Sequence, residues 1–510
     1  MAKRILVGPL LGLETETLYT VCALLPRSVK NPELRVEGRR SVPFARVADT
    51  PRGTFWRAEL ELEVPGGAET HTYRIRAGKD DLRDAWRRDS WSFHVPGARD
   101  EPRLAYASCN GYSSPKLARD AEDPLKLWRD LLAQHEREPF SLLLMGGDQL
   151  YADGLWESDR APSVRRWAQL DRDRQAQQQV GPKIRGELER FYEDLYVRYW
   201  GFDEMALAMA SIPTVMMWDD HDIFDGWGSY SAEAQAWPVY QAVFATARRY
   251  FELMQIRSSA NRSLLAPEDG HYTFGLRLRD SLLLVLDNRS QRTQERIMDG
   301  AHWRTVKAWL DARVAEQDQL PARNFFLGSA VPVLYRDFPV AELAMDATEW
   351  LRPEDKRGDL EDDLRDHWRH RSHEGERLRL LHNLFDFGHG MRAASGGASM
   401  RNLILSGDVH VGALGVLRDR ARGVEFHQVI ASGIVHPPPG FFAWIGIRAV
   451  SNDDPERLEG GRFTTEMLRP AGGPRYLRER NFATLDPGTD GKLWINWHCE
   501  DGSPPCFAIP

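Results

Sequence analysis

The sequence predicts an α/β protein of mixed sheets flanked by helices, preceded by a small all-β sandwich. Two observations lead to this fold class. Up to about residue 98, short segments alternate apolar and polar residues, as in FWRAELELEV at 55–64. After residue 103, continuous apolar runs alternate with longer stretches of helical periodicity. Alternation with period two is typical of half-buried strands, whereas continuous runs are typical of strands covered on both faces by helices.

The all-β part is predicted to span residues 1–98. Segments 55–64, 71–76 and 91–95 each alternate, and a turn cluster, Pro65-Gly66-Gly67, separates the first two. This length and pattern fit a sandwich of fibronectin or immunoglobulin type. Residues 96–102 contain proline and glycine at their ends and are interpreted as a linker.

The larger domain is predicted to span residues 103–510. Its candidate strands are the apolar runs 104–107, 141–145, 212–217, 282–286, 324–327 and 402–405. Its candidate helices are 124–136, 302–314 and 376–387, where large apolar residues recur on one stripe. Residues 336–400 are predicted to be a helical, charged insertion. Residues 455–510 are predicted to be a closing β segment, because RNFATLD and KLWINWHCE flank the turn signal PGTDG.

Composition excludes several classes of protein. The net charge of −8 and pI of about 6.1 imply no strongly basic face, which argues against nucleic acid as the main partner. No apolar run is long enough to span a bilayer, so no membrane association is expected. Four scattered cysteines do not form a disulfide framework. The apolar start is followed at once by Glu14 and Glu16, so we interpret it as a strand and expect a cytoplasmic protein. A truncated start would instead allow a secreted or periplasmic one.

Polar, metal-capable residues follow most of the predicted strands. Because ligands of open α/β sheets bind beyond the carboxyl ends of strands, these clusters predict one site at one rim of a sheet. The alternative is a set of ordinary loops with capping Asp and Ser, which does not account for five clusters together. The clusters are Ser108 to Gly111, then Asp148, Tyr151 and Asp153, then Asp219 to Asp222, then Asp287, Arg289 and Arg292, and finally Asp408 and His410.

The residue types in these clusters indicate a metal centre. Carboxylate, imidazole, thiolate and phenolate together suit a trivalent or borderline metal beside a harder divalent one. No CxxC pair is present, which argues against structural zinc. Two metals about 3.5–4 Å apart clamp a phosphoryl group and generate hydroxide at neutral pH. Asp148, in the glycine-flanked GGDQ turn, is the natural bridging carboxylate.

The motifs SCN, GDQLYAD, WDDHDIFDGWGS, LDNR and SGDVHVG resemble those of the alkaline phosphatase D (PhoD-like) family of metallophosphatases. The resemblance covers roughly residues 103–450, and the leading sandwich also resembles that family's first domain. General calcineurin-type phosphoesterases carry Asp-x-His where this chain has SCN, and GNHD where it has DDHD. The resemblance implies a calcineurin-like metallophosphatase sandwich of mixed sheets.

The resemblance also implies the metals and their ligands. A ferric ion is expected on Cys109, Asp148 and Tyr151, with help from the GDVH segment. A divalent ion, calcium in the best known members, is expected on Asp148 together with Asp220, Asp408 and His410. The division of Asp408 and His410 between the metals stays open. A cytosolic member meets little free calcium, so magnesium, manganese and zinc are alternatives for the second metal.

Three further residues are candidates for catalysis: His221, Asn110 and Arg289. His221 follows Asp220 as His follows Asn in GNHD, and so should protonate the leaving oxygen or bind the phosphoryl group. Asn110 belongs to the SCN motif. Arg289 either braces the phosphate by a bidentate contact or forms an ion pair with a site carboxylate.

The predicted function is a metal-dependent phosphomonoesterase or phosphodiesterase, of EC class 3.1, that uses a metal-activated hydroxide at a di- or multinuclear site. A catalytically silent metal-binding scaffold is one alternative. A dinuclear hydrolase of an amide or lactone is another, although such enzymes usually carry His-x-His where SCN stands. A phosphoester substrate is the only partner predicted, and the oligomeric state stays open.

Overall fold

The computed structural model describes residues 4–336, 368–440, 444–445, 454–502 and 504–510. The strands of these residues are β1 Val7–Leu13, β2 Leu18–Leu25, β3 Pro32–Val36, β4 Val42–Pro43, β5 Ala45–Asp49, β6 Thr54–Glu61, β7 Glu69–Ala77, β8 Asp80–Asp81, β9 Trp91–Val95, β10 Leu104–Ala107, β11 Leu142–Gly146, β12 Thr214–Met217, β13 Phe274–Leu278, β14 Ser281–Val285, β15 Asn324–Gly328, β16 Arg401–Ser406, β17 Gly412–Asp419, β18 Val424–Ile430, β19 Glu456–Leu458, β20 Phe463–Leu468, β21 Tyr476–Leu477, β22 Asn481–Pro487, β23 Leu493–Cys499 and β24 Cys506–Ile509. The α-helices are α1 Pro115–Asp120, α2 Lys126–Arg137, α3 Pro162–Ala168, α4 Arg172–Gln177, α5 Pro182–Tyr199, α6 Asp203–Ser211, α7 Ala232–Gln235, α8 Pro238–Phe251, α9 Gly300–Glu316 and α10 Glu374–Ala394.

Two large mixed sheets carry these strands. The first sheet has the order β24-β23-β22-β10-β11-β12-β1-β2-β6-β5, and the second has the order β13-β14-β15-β16-β18-β17-β20-β19. Strands β10, β11 and β12 run parallel, as do β14, β15, β16 and β18. Their carboxyl ends therefore lie at one edge of each sheet. The predicted class, a sandwich of mixed sheets flanked by helices, is confirmed.

Alternate residues of the central strands pack into two different cores. In β14, Leu283 and Val285 join the core that contains the first sheet, whereas Leu282 and Leu284 join a second core. That second core contains the apolar side chains of α9 and α10. Successive side chains of a strand point to opposite faces, so a strand between a sheet and a helical layer must be apolar at every position. This is why the six predicted strands read as continuous runs, and all six are confirmed.

The three predicted helices are confirmed as α2, α9 and α10. Helix α9 begins where the Asp299 side chain accepts a hydrogen bond from the His302 backbone N–H at 2.8 Å. Helix α10 buries Leu380, Leu381 and Leu384, so the end of the predicted charged insertion is a helix of the core. Residues 337–367 of that insertion lie outside the described residues.

The first hundred residues form a small five-stranded sheet and the end of the first large sheet. Strands β3, β4, β7, β8 and β9 make the small sheet, while β1, β2, β6 and β5 extend the large one. The junction is parallel pairing of β1 with β12, where Gly12 lies opposite Thr214. Arg279 adds side-chain hydrogen bonds to the Gly97 carbonyl at 3.0 Å and to Glu16 at 3.0 Å. The division at residues 98–103 stays a prediction, and the leading strands are structurally continuous with the larger part.

The closing β segment lies at the other end of the first sheet. Strands β22 and β23 form the predicted hairpin around PGTDG, and β22 pairs with β10, the strand that carries SCN at its end. The four cysteines are free in this structure. Among the described helices, none is both long and apolar enough to cross a membrane.

Candidate active site

The predicted clusters meet where the carboxyl ends of the two parallel strand sets face each other. The loops after β10, β11 and β12 come from the first sheet, and the loops after β14 and β16 come from the second. Three groups of residues could each hold a metal ion, because the potential ligand atoms within each group lie within 4.8 Å of one another. The groups are Cys109 with Asp148 and His410, then Asp148 with Asp220 and His221, then Asp148 with Asp219, Asp220 and Asp408.

Asp148 belongs to all three groups and lies at their centre. Its side chain is buried, and its Oδ1 has no hydrogen-bond partner among the described residues. Burial raises the pKa of Asp148 well above its usual range, and the neighbouring carboxylates add to that effect while His221 opposes it. Carboxylates gathered this closely repel one another unless a cation lies between them. The donor set therefore fits one or more metal ions.

Four of the predicted ligands have left-handed backbone conformations. The φ angles of Cys109, Asp148, Asp408 and His410 are 54°, 53°, 67° and 52°. Non-glycine residues seldom adopt this region, and such residues concentrate at functional sites because the surrounding structure holds them there. The left-handed turns point these side chains from separate loops toward one place.

Two glycines make the close approach of these loops possible. Gly147 has a φ of 101°, and a Cβ there would lie 2.9 Å from Cβ of Asp219. A Cβ at Gly111 would collide with the ring of Tyr151 and approach that of Tyr199. Glycine is thus required for steric reasons at both positions, one in the GGDQ motif and one in the SCNG motif.

Cys109 is fully buried beside Asp148, with 3.5 Å between its Sγ and Asp148 Oδ2. Ser432 Oγ lies 3.2 Å from the same sulfur and also accepts the His410 backbone N–H at 2.9 Å. Burial raises the pKa of the Cys109 thiol well above its usual value, and Asp148 raises it further. A cationic metal offsets this effect, since a coordinating thiol is deprotonated by the ion.

Three aromatic rings lie together on one side of the cluster. Tyr151 Oη is 3.4 Å from His410 Nε2, and the His436 ring stacks on His410 with centroids 3.6 Å apart. His436 was not predicted. It lies six residues after β18, a strand that the sequence analysis did not predict, so the rule that placed the other clusters could not find it. Burial lowers the pKa of His436 to about 4, so its ring is neutral at pH 7.

His221 is held by a carboxylate that the sequence analysis named but gave no role. Asp153 Oδ2 lies 2.9 Å from His221 Nδ1, and Asp153 Oδ1 accepts the Asp225 backbone N–H at 2.8 Å. The His221 ring also stacks on Tyr151 at 4.3 Å. Burial alone would lower the pKa of His221, but Asp153, Asp220 and Asp148 outweigh it and hold that pKa well above its usual value. The ring can therefore carry both protons, with Nδ1–H donated to Asp153.

Arg289 lies too deep in the protein for a substrate phosphate to reach it. Its side chain is fully buried and donates to Asp219, to Asp220 at 3.3 Å and to the Trp227 carbonyl at 3.2 Å. The geometry favours the second interpretation of Arg289, an ion pair with site carboxylates. It orients two potential ligands and compensates their charge.

Asn110 is also engaged by the scaffold. Its Oδ1 accepts from Trp128 Nε1 at 2.8 Å, and its Nδ2 donates to the Gln149 carbonyl at 3.3 Å. These contacts tie the SCN turn to the GDQ turn. The structure thus gives Asn110 a positioning role, although the residue also lines a neighbouring cleft.

An open cleft of about 570 Å³ lies beside the cluster. Tyr151, Asn110 and Val435 form its inner boundary, and α1 and the end of α5 contribute to its walls. Ligand pockets commonly have volumes of about 300–1,000 Å³. This cleft is large enough for the part of a substrate that extends away from the cluster.

A family comparison places the chain among known phosphatases. The family described as PhoD related phosphatase matches residues 91–347 and 356–450. An uncharacterized protein of Saccharomyces cerevisiae, YGR266W, is 26% identical over 432 residues, which are 74% of this chain. The match covers 58% of the yeast protein.

Two solved structures share the fold. A structure of PhoD aligns with a TM-score of 0.57 and 13% identity, covering 99% of this chain and 89% of that one. The purple acid phosphatase PPD1 from yellow lupin (Lupinus luteus) seeds aligns with a TM-score of 0.51 and 10% identity, covering 98% and 73%. At these identities the two likenesses bear on the fold alone.

Proposed function

Because this chain belongs to the family of PhoD-related phosphatases, we propose that it hydrolyses phosphoesters with the help of metal ions. The observation that carries the proposal is the position of Asp148, which belongs to every group of potential ligands at the meeting point of the two sheets. One buried carboxylate shared by several donor groups is the arrangement that two neighbouring cations require.

The residues around Asp148 divide into two sets with different donor chemistry. Cys109 and Tyr151 supply sulfur and phenolic oxygen on one side, which suits a ferric ion. Asp220 and Asp408 supply carboxylate oxygens on the other, which suits a divalent ion such as calcium, magnesium or manganese. His410 lies next to Tyr151, so it belongs with the first set or between the two. When bound, the ions supply Lewis acidity and a nucleophile at neutral pH.

The protein's own residues perform the remaining tasks. His221 is the proton donor, because Asp153 holds Nδ1 and leaves Nε2 for the leaving oxygen. Arg289 orients Asp219 and Asp220 by donating side-chain hydrogen bonds to both carboxylates. The rings of Tyr151, His410 and His436 stack together on one side of the cluster.

A silent metal-binding scaffold would need the same ligands but not a histidine held by a carboxylate beside them. The pair of His221 and Asp153 therefore favours an enzyme. A hydrolase of amides or lactones has no comparable support, because the family match is to phosphatases.

The proposed function is tested with purified protein, elemental analysis and a substrate panel. We expect p-nitrophenyl phosphate or bis(p-nitrophenyl) phosphate to be hydrolysed, and a strong chelator to remove that activity. A p-nitroanilide and an aromatic lactone serve as controls and should stay intact. Bound metal without any hydrolysis would favour the scaffold, and hydrolysis of the amide or lactone alone would contradict the phosphoesterase proposal.

The ferric ion has its own spectroscopic test. If Tyr151 binds ferric iron, the protein should be coloured by a charge-transfer band from phenolate to metal. Tyr151→Phe removes the phenolic oxygen while keeping the ring that stacks on His221, so the band should vanish with the fold intact. Tyr199→Phe is the matched control, because Tyr199 lies near the same glycine, whereas the phenolic oxygen that lies 3.4 Å from His410 Nε2 is that of Tyr151. A colourless, iron-free and fully active protein would show that the ferric assignment is wrong.

A further inference from the structure

We propose that the cleft beside the ligand cluster binds a substrate portion that carries an aromatic ring and a second anionic group. This inference rests on the proposed function, since it concerns the substrate of the same site. The proposed occupant is a phosphoester that combines an aromatic ring with a second anionic group, as nucleotides do.

The cleft begins where the cluster ends. Tyr151 lines the cleft, and the same ring stacks on His221 and lies 3.4 Å from His410 Nε2 through its Oη. Val435 lines it too and directly precedes His436. A phosphoester whose phosphorus lies at the cluster would therefore extend one of its substituents into the cleft.

The walls of the cleft are rich in aromatic rings. Tyr199 and Phe202 form an edge-to-face pair with centroids 6.4 Å apart, and Phe202 is 37% exposed. Tyr112 and Phe191 line the same space. Aromatic rings bind other flat rings by stacking or edge contacts, and exposed ones at a site are covered when a ligand binds. The shape and composition favour a planar ring over a purely polar group.

The cleft is also positively charged. Arg119 of α1 and Arg198 of α5 line it, and no Asp or Glu does. Neither arginine forms an ion pair with another described residue, although the guanidinium of Arg198 lies 6.0 Å from the centre of the Tyr199 ring. Guanidinium groups bind phosphate and carboxylate by paired, charge-assisted hydrogen bonds.

Together these features specify the substrate class. The cluster takes the scissile phosphoester, the rings take an aromatic group, and the arginines take a second anion. A phosphoester with a long alkyl chain would satisfy the apolar walls but would leave both arginines without an anionic partner.

The test compares kcat/KM for four diesters that release p-nitrophenol. They are the methyl ester, the octyl ester, the thymidine 5′-ester, and the thymidine 5′-ester that also carries a 3′-phosphate. We expect kcat/KM to rise from the methyl ester to the thymidine ester and again to the thymidine 3′-phosphate ester, by about tenfold or more at each step. Stacking of one base and one charge-assisted hydrogen bond have effects of that size.

Variants assign each step to its residues. Phe202→Ala should reduce the ratio of the thymidine to the methyl ester by about tenfold. Arg119→Glu should reduce the ratio of the 3′-phosphorylated to the plain thymidine ester by at least that factor. Lys116→Glu is the matched control, because Lys116 is exposed on the same helix but does not line the cleft. Thermal melting of each variant checks that the fold is kept.

The outcomes separate the two proposals. Equal kcat/KM for the methyl and thymidine esters, unaffected by the variants, would overturn the cleft assignment and leave the phosphoesterase proposal standing. Preference for the octyl ester would assign the cleft to an alkyl chain instead and also overturn the proposal. No hydrolysis of any ester by metal-loaded protein would contradict the proposed function itself.

Discussion

Asp148→Asn is expected to remove bound metal and to lower kcat/KM by more than about 100-fold. Replacing residues that only support a ligand commonly costs 10–100-fold in metal affinity or activity, so the loss of a shared ligand should exceed that range. Asp148 is the only residue common to the three ligand groups of the described chain. The measurement is metal content by elemental analysis alongside the rate on an aryl phosphate ester.

The same substitution should not unfold the protein. Without metal, the carboxylates around Asp148 repel one another, and an uncharged amide of the same shape relieves part of that repulsion. The metal-free variant should therefore melt at the same temperature as metal-free wild type or higher. Asp311→Asn is a suitable control, because Asp311 is 64% exposed on α9 and pairs with Lys307. An Asp148→Asn protein that keeps its metals and its rate would show that another residue bridges.

His221→Ala is expected to lose roughly 10²–10⁴-fold in kcat, the usual range for a general acid or base. The loss should be larger for alkyl or phenyl esters than for p-nitrophenyl esters, because a good leaving group departs without a proton. His221 Nδ1 is hydrogen-bonded to Asp153. Asp153→Asn should therefore produce the same dependence on the leaving group with a smaller decrease in kcat.

A second comparison separates proton transfer from other roles. His382→Ala is the control, since His382 on α10 pairs with Glu459 away from the site. If His221→Ala slows good and poor leaving groups equally, the residue binds the phosphoryl group or supports the metals instead. Elemental analysis of the variant then decides between those two roles.

Regular features of the fold could be predicted because their physical cause is local. A strand covered on both faces must be apolar at each position, and β14 shows this with Leu282 to Val285. Helix α5 could not be found in the same way, because it buries Glu187 and Glu193 among its apolar residues. Glu187 accepts the Ser163 backbone N–H at 2.7 Å and Glu193 accepts that of Arg52 at 3.0 Å. Hydrogen-bond donors distant in sequence compensate the burial of these two carboxylates. The hydrophobic periodicity of the helix does not reveal such partners.

The site was predicted in outline for a similar reason. The carboxyl ends of parallel strands converge, so Cys109, Asp148 and Asp408 could be placed at one rim from the sequence alone. What each side chain contacts depends on the meeting of the two sheets. Arg289 therefore lies behind Asp219 and Asp220, where spacing alone allowed either of two roles. The place of β1 and β2 in the first sheet could not be predicted for a related reason. The single parallel bridge between Gly12 and Thr214 leaves no pattern in the sequence of either segment.

The left-handed ligand positions place stability and activity under opposing selection. At Cys109, Asp148, Asp408 and His410, glycine would relieve a backbone strain on the order of 1 kcal/mol at each residue while deleting a proposed metal donor. A lineage released from the need for metal would gain stability by drifting to glycine at these sites, one mutation at a time. This chain carries glycine at none of the four positions, as the proposed metal binding requires.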